Sequence, residues 1–150
     1  MITPSTVSTP AGRTTRVEYR ALANFRYQMR LFQRASEDAA RQSGLEPQQH
    51  QLLLALMGAP AGHAPTIAWL AERLQLQHHS TVGLIDRLVE KSMVRRERDP
   101  ADHRRVLVSL TDAGEQILHD LSVFHQRELR TRAPEFISAI ASIVRSASKK

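Results

Sequence analysis

Between residues 15 and 43, apolar side chains recur at steps of three and four, with Leu22, Phe25, Met29 and Phe32 separated by Arg20, Arg26, Arg30 and Arg34. That period places the apolar residues on one side of an α-helix, so the pattern predicts one long amphipathic helix stopped near Gly44. Pro47 suits the first turn of a second helix, where its missing amide proton would be unpaired in any case. Leu52, Leu53, Leu56 and Met57 give that helix a broad apolar face ending around Gly58 and Pro60. A short third helix is predicted from Thr66, whose hydroxyl can cap free amides, through Ile67, Leu70, Ala71 and Leu74. After Leu76 and Gln77 a fourth is expected from about His79 to Lys91, burying Ile85, Leu88 and Val89 while Asp86 and Arg87 point away. Two helices joined by three or four residues form a helix-turn-helix candidate.

The period then changes. Met93 to Arg98 is followed by the turn formers Asp99, Pro100, Ala101 and Asp102, and then by Val106, Val108 and Leu110 in alternation. This reads as two short strands around a basic hairpin, the place of a wing. Thr111 caps a long helix carrying Ile117, Leu121 and Phe124, and a separate last helix is expected from Pro134 with Phe136, Ile137, Ile140 and Val144. Residues 1–14, with Pro4, Pro10 and Gly12 among serines and threonines, are expected to form a mobile tail. The expected fold is mainly α with a small two-stranded β wing, in one domain over residues 15–150. Residues 45–114 form its winged helix-turn-helix, and residues 15–44 and 115–150 supply helices whose surplus apolar surface calls for a second copy.

Composition narrows the function. The 150 residues carry a formal charge of +6, a surface field that concentrates polyanions and puts nucleic acid first among partners. There is no cysteine, which excludes a disulfide framework, a thiolate metal site and a thiol redox switch. No apolar run approaches the roughly 20 residues needed to span a bilayer, and residues 1–10 do not read as a signal peptide, so a cytoplasmic location with no membrane partner is expected. Seven histidines raise a metal site, yet His78 and His79 are adjacent and splay apart, while His119 and His125 fall on different helix faces. Neither metal nor other cofactor is expected. No Gly-rich phosphate loop, serine elbow or paired carboxylates in a pocket signal an enzyme. Tyr19, Phe25, Met29, Phe32 and Trp69 could serve as core or as a ligand wall, and core is the commoner use.

Around the hairpin, Arg95, Arg96, Arg98 and Arg104 outnumber Glu97, Asp99 and Asp102. A helix-turn-helix followed at once by a basic hairpin is a two-part clamp, in which the second helix enters the major groove and the hairpin grips the flank. The stretch from Arg98 through Asp102, Arg104, Val106 and Leu110-Thr111-Asp112-Ala113-Gly114 resembles the wing of multiple-antibiotic-resistance (MarR) regulators. Leu70-Ala71-Glu72-Arg73-Leu74, Ile85-Asp86-Arg87-Leu88-Val89-Glu90-Lys91 and Leu45-Glu46-Pro47-Gln48-Gln49-His50 are similar to that family's reading head, so the resemblance runs from about Val17 to Val144.

The resemblance implies that Arg104 reaches the minor groove, where narrowing concentrates negative potential, and that Asp102 positions the wing arginines Arg98, Arg104 and Arg105. The competing reading of the same residues is a solvated turn in which Asp102 and Arg104 merely pair. Where many members carry Thr-Arg in the reading helix, this chain has Val82 and Gly83, and Ser92 stands where glycine is usual. Contacts are therefore expected from His78, His79, Ser80 and Thr81, with Val82 meeting a thymine methyl and Arg87 a phosphate. The resemblance further implies a homodimer on palindromic double-stranded DNA, repression, and release by a small aromatic or phenolic effector lined by Phe25, Arg26 and His50. The alternative is an architectural or protein-interaction module of the same fold that reads no sequence.

Overall fold

Local chemistry starts the first four helices within about a residue of where the pattern predicts. The computed structural model describes residues 13–63 and 65–148, and α1 (Arg16–Gln42) begins just after Thr15, whose amide donates to the Glu18 carboxylate at 2.6 Å. The expected tail lies outside the described residues except for Arg13 and Thr14, which are exposed. In α2 (Pro47–Met57) proline occupies the first turn, and the Gln49 side-chain carbonyl accepts from the Glu46 amide at 3.0 Å. Thr66 caps α3 (Ile67–Leu74) by accepting from the Trp69 amide at 3.1 Å. Three residues later α4 (His78–Glu90) begins, followed by antiparallel β1 (Val94–Arg98) and β2 (Val106–Leu110), and by α5 (Asp112–Ala147).

α5 corrects one expectation, since a single helix stands where two were predicted and Pro134 lies inside it. A helical proline removes one amide donor and crowds the carbonyl four residues back, at a cost of about 3 kcal/mol. That cost is local. Side chains are buried on either side of it, Leu118 and Leu121 before and Ala139 after, so the helix is held by packing on both sides of the lost bond.

The chain divides into two compact units, Phe32–Thr131 and a second formed by Met1–Leu31 with Arg132–Lys150. In the first, Leu45, Leu52, Leu53, Leu70, Leu84, Ile85, Leu88 and Leu118 are essentially fully buried. Removing each such side chain from water stabilises the fold by about 1.5–3 kcal/mol. Val94 and Val108 root the hairpin in this core, and Thr66 bridges Leu107 while the Pro65 carbonyl accepts from the Val108 amide at 3.0 Å. The hairpin is thereby fixed to the start of the helix-turn-helix. In the second unit Phe25 meets Phe136 edge to face at 6.2 Å between centroids, Ala21 and Ala139 are buried, and Val17, Tyr19, Leu22, Ile137, Ile140 and Val144 are exposed.

Three helices end alike. Leu45, Leu76 and Met93 each donate an amide to the carbonyl five residues back, at 2.9 Å, which requires a left-handed residue just before them. Gly44 meets that need without strain, whereas Gln75 and Ser92 adopt φ of 53° and 58°. A side chain there costs roughly 1–2 kcal/mol, against glycine's extra chain entropy of about 0.5–1 kcal/mol. Ser92→Gly should therefore stabilise the protein by about 0.5–1 kcal/mol, read as a higher urea midpoint at unchanged slope. A lower midpoint would show that the serine hydroxyl matters more than its backbone.

Candidate nucleic-acid interface

α4 buries Thr81, Leu84, Ile85 and Leu88 and turns His79, Val82, Gly83, Asp86 and Arg87 to the opposite side, with His78 and Ser80 exposed in its first turn. Thr81 departs from expectation. It is fully buried, and its hydroxyl donates to the Gln77 carbonyl at 3.0 Å, so it anchors the start of the helix and cannot reach a base. The middle of the outer face belongs to Gly83, which presents backbone. Asp86 would repel phosphate, but Arg96 of β1 binds its carboxylate. This pair neutralises the acid and ties reading helix to wing. Asp86 was expected to point away from the core; its pairing depends on the hairpin folding back, which periodicity within one helix does not report.

The hairpin tip is built by two aspartates. Asp99 accepts from the Ala101 amide at 2.8 Å, and Asp102 accepts from the Arg104 amide at 3.1 Å. Each closes a short turn that mimics a backbone turn. The same Asp102 oxygen accepts from Nε of Arg104 at 3.2 Å. These two bonds from Arg104, backbone first, hold the Asp102 carboxyl below its usual value, with Arg105 adding a weaker attraction. The Arg104 side chain stays 92% exposed. The turn pairing and an outward guanidinium thus coexist, because a bond to Nε leaves the two terminal nitrogens for another partner. Arg98 donates to the His103 carbonyl at 2.8 Å and braces the tip, and Arg105 lies 3.9 Å from the Asp99 carboxylate.

Behind the hairpin, Lys91 donates to the Gly44 carbonyl at 2.7 Å and to the Gln49 side chain at 3.1 Å, tethering the end of α4 to the start of α2. Thr111 donates to the Ser92 carbonyl at 2.6 Å and accepts from the Gly114 amide at 3.1 Å. One hydroxyl therefore caps α5 and holds the turn after α4. Lys91 and Arg96 were missing from the expected site; Arg96 shares a face of β1 with the buried Val94 and lies opposite the buried Val108, so alternation gave no sign that it would meet Asp86.

Residues 43–105, from the turn before α2 to the wing tip, match the model of the MarR family. Over that segment the chain is similar to the MarR family. A 71-residue stretch of it is 35% identical to the HTH-type transcriptional regulator YsmB of Bacillus subtilis, covering 47% of this chain and 49% of that one, so the match spans about half the relative's length. Among solved structures, the MepR–DNA complex of S. aureus matches this chain with a TM-score of 0.65 at 17% identity, over 93% of this chain and 100% of the other. CouR of Rhodococcus jostii RHA1 bound to p-coumaroyl-CoA matches with a TM-score of 0.69 at 18% identity, over 91% and 94%. At these identities the structures establish a shared winged helix-turn-helix fold.

The residues expected to line an effector site fall in different settings. Phe25 is half-buried against Phe136, and Arg26 is exposed. His50 is 2% exposed in the core of the other unit, its ring stacked on His125 at 4.7 Å. Burial first, and His125 second, push His50 down to about 4. Among the described residues no group of three or more His, Asp or Glu side chains could hold a metal ion, and no helix is long and apolar enough to cross a membrane.

Proposed function

We propose that this chain is a sequence-specific double-stranded DNA-binding transcriptional regulator, acting as a homodimer on a palindromic operator. The observation that carries this reading is the Asp86–Arg96 ion pair, which joins the outer face of α4 to the strand leading to the exposed Arg104 of the wing. α4 enters the major groove, where His79 and Ser80 face base edges, Val82 a thymine methyl and Arg87 a phosphate. Arg104 reaches the adjacent minor groove, steered by Asp102, while Arg98 and Arg105 hold the tip and add positive charge. The described exposed apolar residues of α1 and α5, Val17, Leu22, Ile137, Ile140 and Val144 among them, supply the dimer surface. Two-fold symmetry then sets two reading helices about one DNA turn, roughly 34–36 Å, apart. The shared fold with MepR, solved bound to DNA, supports this reading. Such a regulator works beside the chromosome, in the cytoplasm.

Light scattering at micromolar concentration should give twice the chain mass, and a footprint on the protein's own upstream region should show a protected palindrome. A monomer with unaltered fold would remove the basis for the palindrome. Gly83 at the middle of the reading face favours a second reading, an architectural module that grips DNA without reading it; protection spread evenly along the duplex would select that reading.

Repression released by an aromatic or phenolic effector completes the proposal, supported by the aromatic CoA thioester bound to CouR. The effector acts by its preference for a dimer with misplaced reading heads, and affinity for DNA falls by that preference alone. A panel of aromatic acids, salicylate included, titrated into a protein–DNA complex should release DNA. A panel that leaves affinity unchanged removes the effector while sparing the DNA reading.

A further inference from the structure

The core of the Phe32–Thr131 unit holds an arrangement that stability does not call for. His50 of α2 and His125 of α5 lie face to face at 4.7 Å with 17° between planes, and Phe32 and Phe124 close on His125 edge-on at 6.2 and 5.5 Å. His50 is 2% and His125 9% exposed. Neither nitrogen of His50 has a hydrogen-bond partner, nor has Nε2 of His125. Backbone groups at Ser36 and Leu121 favour the protonated form of His125. Buried imidazole nitrogens lose their bonds to water without replacement, so a phenylalanine or leucine at position 50 would pack at lower cost. A ring that is expensive to keep invites a functional explanation.

A metal ion does not supply it. Imidazole lone pairs lie in the ring planes, and two nearly parallel planes cannot aim at one ion, nor can stacked rings hydrogen-bond each other. The ligand that needs neither room nor convergent lone pairs is the proton. We propose that the His50–His125 stack is a proton-operated release, in which protonation at mildly acid pH parts α2 from α5 and weakens DNA binding. The inference rests on the DNA-binding reading above. A proton on His50 places a cation against the face of His125 with no acceptor for the new N–H. The groups that face the pair are Phe32 of α1, the backbone at Ser36, and Phe124, Leu121 and Glu128 of α5; Glu128 favours charge on His125. α2 also packs on α3, α4 and β2, and Lys91 ties its start to α4, so its displacement moves the platform of the reading helix.

Burial of the pair lowers both histidines, His50 to about 4 from the ordinary 6.5. The closed form therefore binds fewer protons than an opened form whose ring meets water. Closure is favoured fully above pH 6.5 and progressively lost as pH falls toward 4, so the open-to-closed ratio rises about ten-fold between pH 7.5 and 5.5.

The test measures affinity of the full chain for a fluorescent duplex of its own upstream region at pH 7.5 and 5.5, at fixed ionic strength, with amide exchange in α2 followed without DNA. Affinity should fall on acidification, by ten-fold at most and by less where the closed form predominates, and α2 protection, corrected for intrinsic rates, should fall about ten-fold with it. His50→Phe keeps a stacked ring without nitrogens and should sharply reduce both changes, leaving what His125 contributes; His50→Gln serves if that variant misfolds. Tighter or unchanged binding by the parent at pH 5.5 overturns the proposal, as does an undiminished fall in both variants. If the parent binds no duplex at pH 7.5 yet α2 loosens with acid, the DNA reading fails while the proton switch stands; unaltered α2 protection overturns the switch itself.

Discussion

Gly114→Ala should destabilise this protein by about 3 kcal/mol or more, at the upper end of what one added methyl group does. A Cβ at Gly114 would stand 2.1 Å from the Met93 carbonyl oxygen, 3.1 Å from its carbon and 3.3 Å from Leu110 Cδ2. The near atoms are backbone and cannot swing aside. That carbonyl accepts from the Thr111 amide at 3.0 Å, and Thr111 binds Ser92 and caps α5, so relief at Gly114 loosens the joint where α4, the wing and α5 meet. Gly114 has helical φ; space, not conformational freedom, demands glycine there. Gly83→Ala is the matched control, because its Cβ would meet only Arg87 Nη1 at an ordinary 3.8 Å. Removing glycine from a helix interior should there add about 0.5–1 kcal/mol. Urea unfolding of both variants checks the pair of signs, and a Gly114→Ala midpoint equal to the parent's would mean that the joint yields at no cost.

Arg104→Ala should weaken operator binding by about 1–3 kcal/mol, while the thermal midpoint stays within the small range of a surface change. The fold should survive because the side chain is 92% exposed and its one ion pair is with Asp102 at the same turn. The slope of log affinity against log salt should fall by roughly one unit per subunit, since each lost phosphate-region contact releases fewer counterions. The loss should be greatest where an A/T-rich flank narrows the minor groove, whereas Arg87→Ala should weaken specific and random duplexes alike. Equal affinity of Arg104→Ala and parent across several salt concentrations would mean that the hairpin does not grip DNA, and the clamp proposed for α4 and the wing would lose half its action.

Features set by residues within about four positions of one another were legible before any coordinates. Thr66 and Thr111 as caps, Pro47 in a first turn, the three-residue step from α3 to α4 and the Asp99 and Asp102 turns are of this kind, each resting on a side chain bonding to a neighbouring amide or on a fixed φ. The resemblance to MarR regulators rested on the same short-range patterns, which is why it identified the wing most clearly. Pro134 was the exception. Its local rule is sound, but one lost bond was weighed there without the packing on both sides. Tertiary structure alone decided the rest. Thr81 faces inward because the buried side of α4 is wider than the stripe of Ile85, Leu88 and Val89 suggested. Asp86 meets Arg96 only once the hairpin folds back, Gly114 and Gly83 differ only in what surrounds them, and His50 finds His125 from another helix. Side-chain chemistry along the chain states what a residue is able to do, and the neighbours that folding brings from distant segments determine which of those capacities it uses.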